Sequence, residues 1–242
     1  MTDEKKMTLV GHLEELRLRI VYSIAVWILC TIGAYFLTPP VLSYLTGMLH
    51  TKLVFINPAE AFMAYFKVAL TLGLFAALPV ILHQTLLFIV PGLEPHEKKW
   101  VLLLVPMAVL LFFAGLAFAC LVLIPATLGF FLSFQTESLT PMITIGGFVS
   151  FVTTLVIMSG LIFQMPLVIL FLGLIGIVNS RFLREKRRYA VFAIFVIAAI
   201  ATPTPDAFTM TIVALPMVAL YEISLLLVWI IERKKRPSVT QA

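Results

Sequence analysis

The chain has 242 residues, of which 62% are hydrophobic and 12% charged, against about 45–50% and about 25% in soluble globular domains. With a mean hydropathy of +1.10 it carries more apolar surface than one water-facing domain can hide, which excludes a soluble enzyme and predicts a polytopic membrane protein. The formal charge of +5 does not point to nucleic acid, because the basic residues sit between apolar blocks rather than on one face.

The charged start, Met1 to Arg19, precedes an apolar block long enough to stay in a membrane, so it reads as a retained segment rather than a cleavable signal. Leu9, Leu13, Leu16 and Ile20 recur at helical spacing, predicting an amphipathic stretch along the inner membrane surface that then turns into the first span. Six apolar blocks follow, from about Ile20 to Leu37, Ala61 to Val90, Val101 to Leu132, Phe148 to Val178, Ala190 to Ala201 and Phe208 to Ile231. Pro39 and Pro40 end the first, Pro91 and Gly92 the second, and Pro203 and Pro205 part the last two. The second, third and fourth blocks contain Pro79, Pro106 with Pro125, and Pro166, so they should tilt or bend. The fifth block has twelve residues, about 18 Å of helix against a hydrocarbon core of about 30 Å, so either the bilayer thins there or the last two blocks form a shallow hairpin. Cys30 and Cys120 lie within apolar blocks and read as buried bulk.

Fifteen of the seventeen Lys and Arg residues fall in the N-terminal segment, in Pro91 to Trp100, in Asn179 to Tyr189 and after Ile231, which places both termini and these two loops in the cytoplasm. The expected fold is therefore an all-α polytopic membrane protein with six transmembrane helices, the last two short, N-in and C-in, in a concave arrangement. It forms one integral domain over 1–242, with a cytoplasmic segment 1–19, a six-helix region 20–231 and a basic tail 232–242.

Polar clusters are few. His12, Glu15 and Arg19 share one stripe, whose plain reading is an i,i+4 pair worth about 0.3–0.5 kcal/mol on a solvated face. The loop FIVPGLEPHEKKW, Phe88 to Trp100, carries an HE without the second His of a zinc helix, so no metal site is expected; Glu97 then either balances Lys98 and Lys99 or serves as a second inner carboxylate. No GxSxG elbow or nucleotide loop occurs, and no cofactor or catalytic activity is expected. Within the blocks, Glu222 should face protein or water, with protonation as one way to lower its cost, while Gln164 and His83 suit either interhelical hydrogen bonding or a binding site. Lys67 can snorkel outward, Glu60 is interfacial, and Asp206 of TPTPD, Thr202 to Asp206, is placed to cap the last helix.

In order, HLEELRLR at His12 to Arg19, PAEAF at Pro58 to Phe62, FIVPGLEPHE at Phe88 to Glu97, FQMP at Phe163 to Pro166, TPTPD, LPM at Leu215 to Met217 and YEIS at Tyr221 to Ser224 resemble the twin-arginine translocase TatC family over nearly the whole chain. That resemblance implies a receptor subunit that binds the twin-arginine signal peptides of folded precursors at the cytoplasmic face of the bacterial inner membrane. It implies TatA and TatB as partners within an oligomeric complex, and the proton gradient as the energy source. It assigns peptide binding to Glu15 and Glu97, and to the motif residues His12, Leu16, Arg17, Arg19, Phe88, Pro91, Gly92 and Leu93, and intramembrane or partner contacts to Gln164, Glu222, Thr202 and Asp206. Gln164 stands where some relatives carry Glu. Two consecutive Arg side chains on an extended peptide point to opposite sides, which suits two carboxylates on separate segments. A proton-coupled transporter of small solutes is the alternative; it accounts for Gln164, Glu222 and the broken helices but not for the inner polar cluster.

Overall fold

The computed structural model describes residues 9–49, 53–89, 95–136, 138, 140–204 and 206–235, and at 9, 89, 95–103, 234 and 235 the backbone alone. The chain is all-helical, as its composition predicts. α1 (Leu9–Tyr35), α2 (Thr38–Gly47) and α3 (Pro58–Ile89) are followed by α4 (Pro95–Phe118), a π-helical turn (Ala119–Leu123) and α5 (Ile124–Leu132). Then come α6 (Ile145–Ile162), α7 (Met165–Leu174), α8 (Ser180–Glu185), α9 (Arg187–Ala201) and α10 (Ala207–Lys235). Among the described residues, five stretches are long and apolar enough to cross a bilayer: Val10–Tyr35, Pro58–Phe88, Leu104–Leu132, Ile145–Leu174 and Ala207–Arg233.

Where prolines interrupt the blocks, the chain bends in ways set by the missing N–H. Pro39 and Pro40 do end the first span, and they also start α2, because proline is tolerated in the first helical turn, where the amide has no partner. Before Pro125 the ladder widens to a π turn in which the Ile124 amide reaches the Ala119 carbonyl, absorbing the hydrogen bond that proline cannot make. Pro166 sits at the start of α7, so the fourth block breaks at Phe163 and Gln164. Just past the end of α7, Gly176 with a φ of 76° lets the Ile177 amide bond the Leu172 carbonyl at 3.0 Å and close the last turn.

No turn separates the N-terminal amphipathic stretch from the first span, since both belong to α1 and no proline intervenes. α1 packs chiefly on α3, α3 on α6 and α4, α7 on α10, and α10 on α9, so the helices form an open row with α1 at one end and α9 at the other. Large apolar side chains such as Leu29, Ile32, Ile200 and Leu215 stay exposed on the outer faces, which is the surface lipid solvates. With no water to expel between helices in lipid, close backbone approach supplies the packing. A Cβ at Gly73 would lie 2.6 Å from the Thr31 Cα, and the Trp27 indole donates to the Leu70 carbonyl at 3.0 Å in the same α1–α3 contact. Between α4 and α6, the Ser159 hydroxyl donates to the Gly115 carbonyl at 2.9 Å. The main core joins α4, α6, α7 and α10 around Leu123, Ile124, Leu155 and Val228.

Two expectations change. α9 is short, at 15 residues or about 22 Å, but the last helix is not: α10 has 29 residues and continues past the expected end at Ile231. The reason lies in the loop between α7 and α9. α8 lies against α10, where the Leu183 carbonyl accepts from the Tyr221 hydroxyl at 2.7 Å and the Ser180 amide donates to Glu232 at 2.8 Å. α9 therefore starts beside Glu222, partway along α10. The second change concerns the cysteines, which are free and half-buried rather than core residues.

Candidate functional site

The polar cluster at the α1 end of the row is built by helical spacing. Residues 12, 15 and 19 fall at i, i+3 and i+7 and so share the face that meets α3. The Glu15 Oε1 accepts from Arg19 Nε at 3.0 Å and from Arg19 Nη2. The third arm of the guanidinium, Nη1, donates to the Gln84 Oε1 of α3 at 3.1 Å. His12 stacks on Phe88 of α3, ring centroids 4.2 Å apart and planes within 11°, and its Nδ1 lies 3.8 Å from the Glu15 Oε2. That second oxygen is buried and has no hydrogen-bond partner among the described residues. Glu15 thus has one oxygen engaged twice by Arg19 and the other buried without a hydrogen bond among the described residues.

A groove of about 270 Å³ opens beside this cluster between α1 and α3, with Leu16, Arg19, Gln84 and Phe88 at its polar end and Ile20, Ile24, Trp27 and Ile81 along it. Its walls are mainly apolar, and the polar groups at one end are Arg19, with Glu15 as its partner, and Gln84. Arg17 points away and is exposed. Glu97 lies in the first turn of α4, with its side chain outside the described residues, and Pro91, Gly92 and Leu93 also lie outside them. Sequence reasoning missed Gln84, 65 positions from Arg19 in the chain; its only signal was an amide inside an apolar block.

The intramembrane polar residues stand apart from this cluster and from one another. Gln164 donates through Nε2 to the Ala108 carbonyl at 3.0 Å, the interhelical bond expected of it, while its Oε1 is buried without a partner among the described residues. Thr202 is buried and lines a small apolar cavity with Ser159, Phe163 and Pro216. Glu222 faces Arg187 at 2.6 Å, so its charge is met by a cation from the start of α9. Lys67 reaches across to α6 and donates to the Ser150 hydroxyl at 2.7 Å. Glu60 ties the outer loop to the start of α6, accepting from the Gly146 amide at 2.9 Å and the Ile56 amide at 3.1 Å. Asp206 caps α10 through the Thr209 amide at 2.6 Å. Burial pushes its carboxyl pKa up, but the neighbouring Thr204 hydroxyl and the Thr209 and Phe208 amides outweigh that and hold it below the ordinary value.

Residues 11–216 match the family model of the Sec-independent protein translocase protein TatC. The chain is 38% identical to the Sec-independent protein translocase protein TatC of Carboxydothermus hydrogenoformans, over 96% of this chain and 97% of that one. It is 34% identical to the Sec-independent protein translocase protein TatCy of Bacillus subtilis, over 96% of this chain and 93% of that one. Its backbone is similar to a crystal structure of the twin arginine translocase receptor TatC, with a TM-score of 0.79 at 33% identity, covering 93% of this chain and all of that one. The family-model match, identity spread over almost the full length and the same fold together establish that this chain belongs to the TatC family of Sec-independent protein translocases.

Proposed function

We propose that this chain is the receptor subunit for twin-arginine signal peptides, with Glu15 and Glu97 as the two anchors for the consecutive arginines. The observation that carries the reading is Glu15 itself, a carboxylate paired with Arg19, which lines the apolar groove between α1 and α3 and bonds Gln84 across it. A signal peptide has the matching order of parts, guanidinium groups followed by an apolar stretch. Each arginine gains a charge-assisted hydrogen bond worth about 1.5–3 kcal/mol, while lysine, a point charge without a planar fork, gains less. Leu16 and Phe88 line the groove; Pro91, Gly92 and Leu93, which lie outside the described residues, are assigned to peptide binding by the family motif alone.

The chain crosses the membrane six times, with both termini, the start of α4 with Glu97, and α8 in the cytoplasm, and α9 crosses where the bilayer thins. The helix row curves into a wall against which the apolar part of the peptide lies. The membrane is the bacterial inner membrane, TatA and TatB are the partner subunits, and the proton gradient drives export of folded precursors. The chain binds and positions rather than catalyses. Gln164 contributes a hydrogen bond, not a titrating acid, and Thr202, Asp206 and Glu222 shape the outer and inner ends of the α9–α10 pair where a partner helix docks. Photo-cross-linking of a twin-arginine peptide to the full chain tests the assignment: Glu15→Gln and Glu97→Gln should each reduce cross-linking at least tenfold. Unchanged yield in both variants would remove the receptor reading.

A further inference from the structure

We infer that Arg19 is a built-in occupant of the peptide-arginine site, and that the signal peptide binds by displacing it from Glu15. This rests on the receptor role of Glu15 proposed above and adds how the empty receptor holds that carboxylate. Arg19 presents to Glu15 the same group that a peptide arginine would bring: Nε and Nη2 both bond Oε1. The Glu15–Arg19 pair is formally neutral, so while it stands an incoming guanidinium meets a dipole rather than a net negative charge.

The geometry also supplies the exit. Arg19 Nη1 is already bonded to the Gln84 Oε1 at 3.1 Å, so the guanidinium can leave Glu15 while keeping one partner on α3. Gln84 is neutral, which leaves a released Arg19 free to meet the groove mouth rather than a second carboxylate. On the other side of Glu15, His12 is held 3.8 Å from Oε2 by its stack on Phe88. No other carboxylate lies within 4 Å of Arg19 among the described residues. Arg17, two positions away, is exposed and makes no such contact, which singles out Arg19 among the basic residues of this segment.

Intramolecular occupancy lowers apparent affinity by the fraction of time the site is free, and it does so by the same factor for every peptide that needs the site. Arg19→Gln should therefore tighten binding roughly tenfold (about 1.4 kcal/mol) for a labelled peptide with two consecutive arginines and equally for its Lys-Arg counterpart, leaving their ratio unchanged. Gln84→Met, of similar size but without the acceptor, strands Arg19 on Glu15 and should weaken binding about threefold.

The experiment is a fluorescence titration of these two peptides against the full-length chain in nanodiscs, using both variants together with Glu15→Gln. Weaker binding by Arg19→Gln, or a changed ratio between the two peptides, would overturn the inference by showing that Arg19 positions Glu15 instead of covering it. Should Arg19→Gln fail to fold, Gln84→Met decides alone, and binding equal to or tighter than the parent refutes displacement. Unchanged binding by Glu15→Gln would remove the receptor reading itself. Loss in Glu15→Gln together with loss in Arg19→Gln would remove only the displacement step.

Discussion

The closest backbone approach between α4 and α6 gives a prediction whose size can be worked from the structure. A methyl group placed on Gly115 would lie 2.7 Å from the Ser159 carbonyl oxygen, 3.0 Å from the Gly160 Cα and 3.1 Å from the Phe163 Cβ. Two of these neighbours are backbone atoms, so no side chain can swing away. Restoring ordinary contact at about 3.4 Å means separating the helices by roughly 0.7 Å. That shift would stretch the 2.9 Å bond from the Ser159 hydroxyl to the Gly115 carbonyl beyond useful length. The overpacking costs about 1–3 kcal/mol and the interhelical bond about 0.6 kcal/mol, offset by up to about 1 kcal/mol from the better helix propensity of alanine. Gly115→Ala should therefore destabilise by about 1–3 kcal/mol. Ser159→Ala, which loses only the bond, should cost about 0.6 kcal/mol. Gly33→Ala, where nothing lies within 4 Å, should be neutral or stabilising. Unfolding by SDS titration in mixed micelles, followed by tryptophan fluorescence, measures all three. If Gly115→Ala were as stable as Gly33→Ala, close packing would not be what holds α4 to α6.

Tyr221→Phe removes the hydroxyl bonded to the Leu183 carbonyl at 2.7 Å in a buried position and should cost about 1–2 kcal/mol in the same assay, because the carbonyl is left without that partner; faster amide exchange in α8 would localise the loss. Asp206, whose carboxyl sits below the ordinary 3.8, binds protons less readily folded than unfolded. Its contribution is therefore complete above pH 3.8 and is lost as the pH falls through the lower folded value. Asp206→Asn should flatten that part of an acid titration of stability, and an unchanged acid limb would show that the cap does not depend on the charge.

The first span illustrates what local chemistry can announce. Residues 12, 15 and 19 share a face by helical arithmetic alone, so the Glu15–Arg19 pair was legible, and so was the capping role of Asp206, which depends on residues three positions away. Gln84 was not, because its meaning comes from a crossing of α1 and α3 that depends on Gly73 allowing the backbones to touch, and two helix surfaces meet only in three dimensions. The partner of Glu222 was hidden for the same reason: Arg187 reads as one more cytoplasmic cation until α8 folds back on α10 and brings it alongside.

Composition and apolar length sufficed to determine that this protein is an all-helical membrane protein, because hydrocarbon admits no unpaired backbone and a helix pairs its own. Proline positions likewise marked where the helices bend, since a missing N–H acts locally. Tertiary structure alone decided that the last helix is long beside a short neighbour, and that Arg19 bridges Glu15 on its own helix to Gln84 on α3. These depend on which faces meet, and in lipid that choice is made by small residues and single polar contacts rather than by the broad apolar pattern a sequence displays.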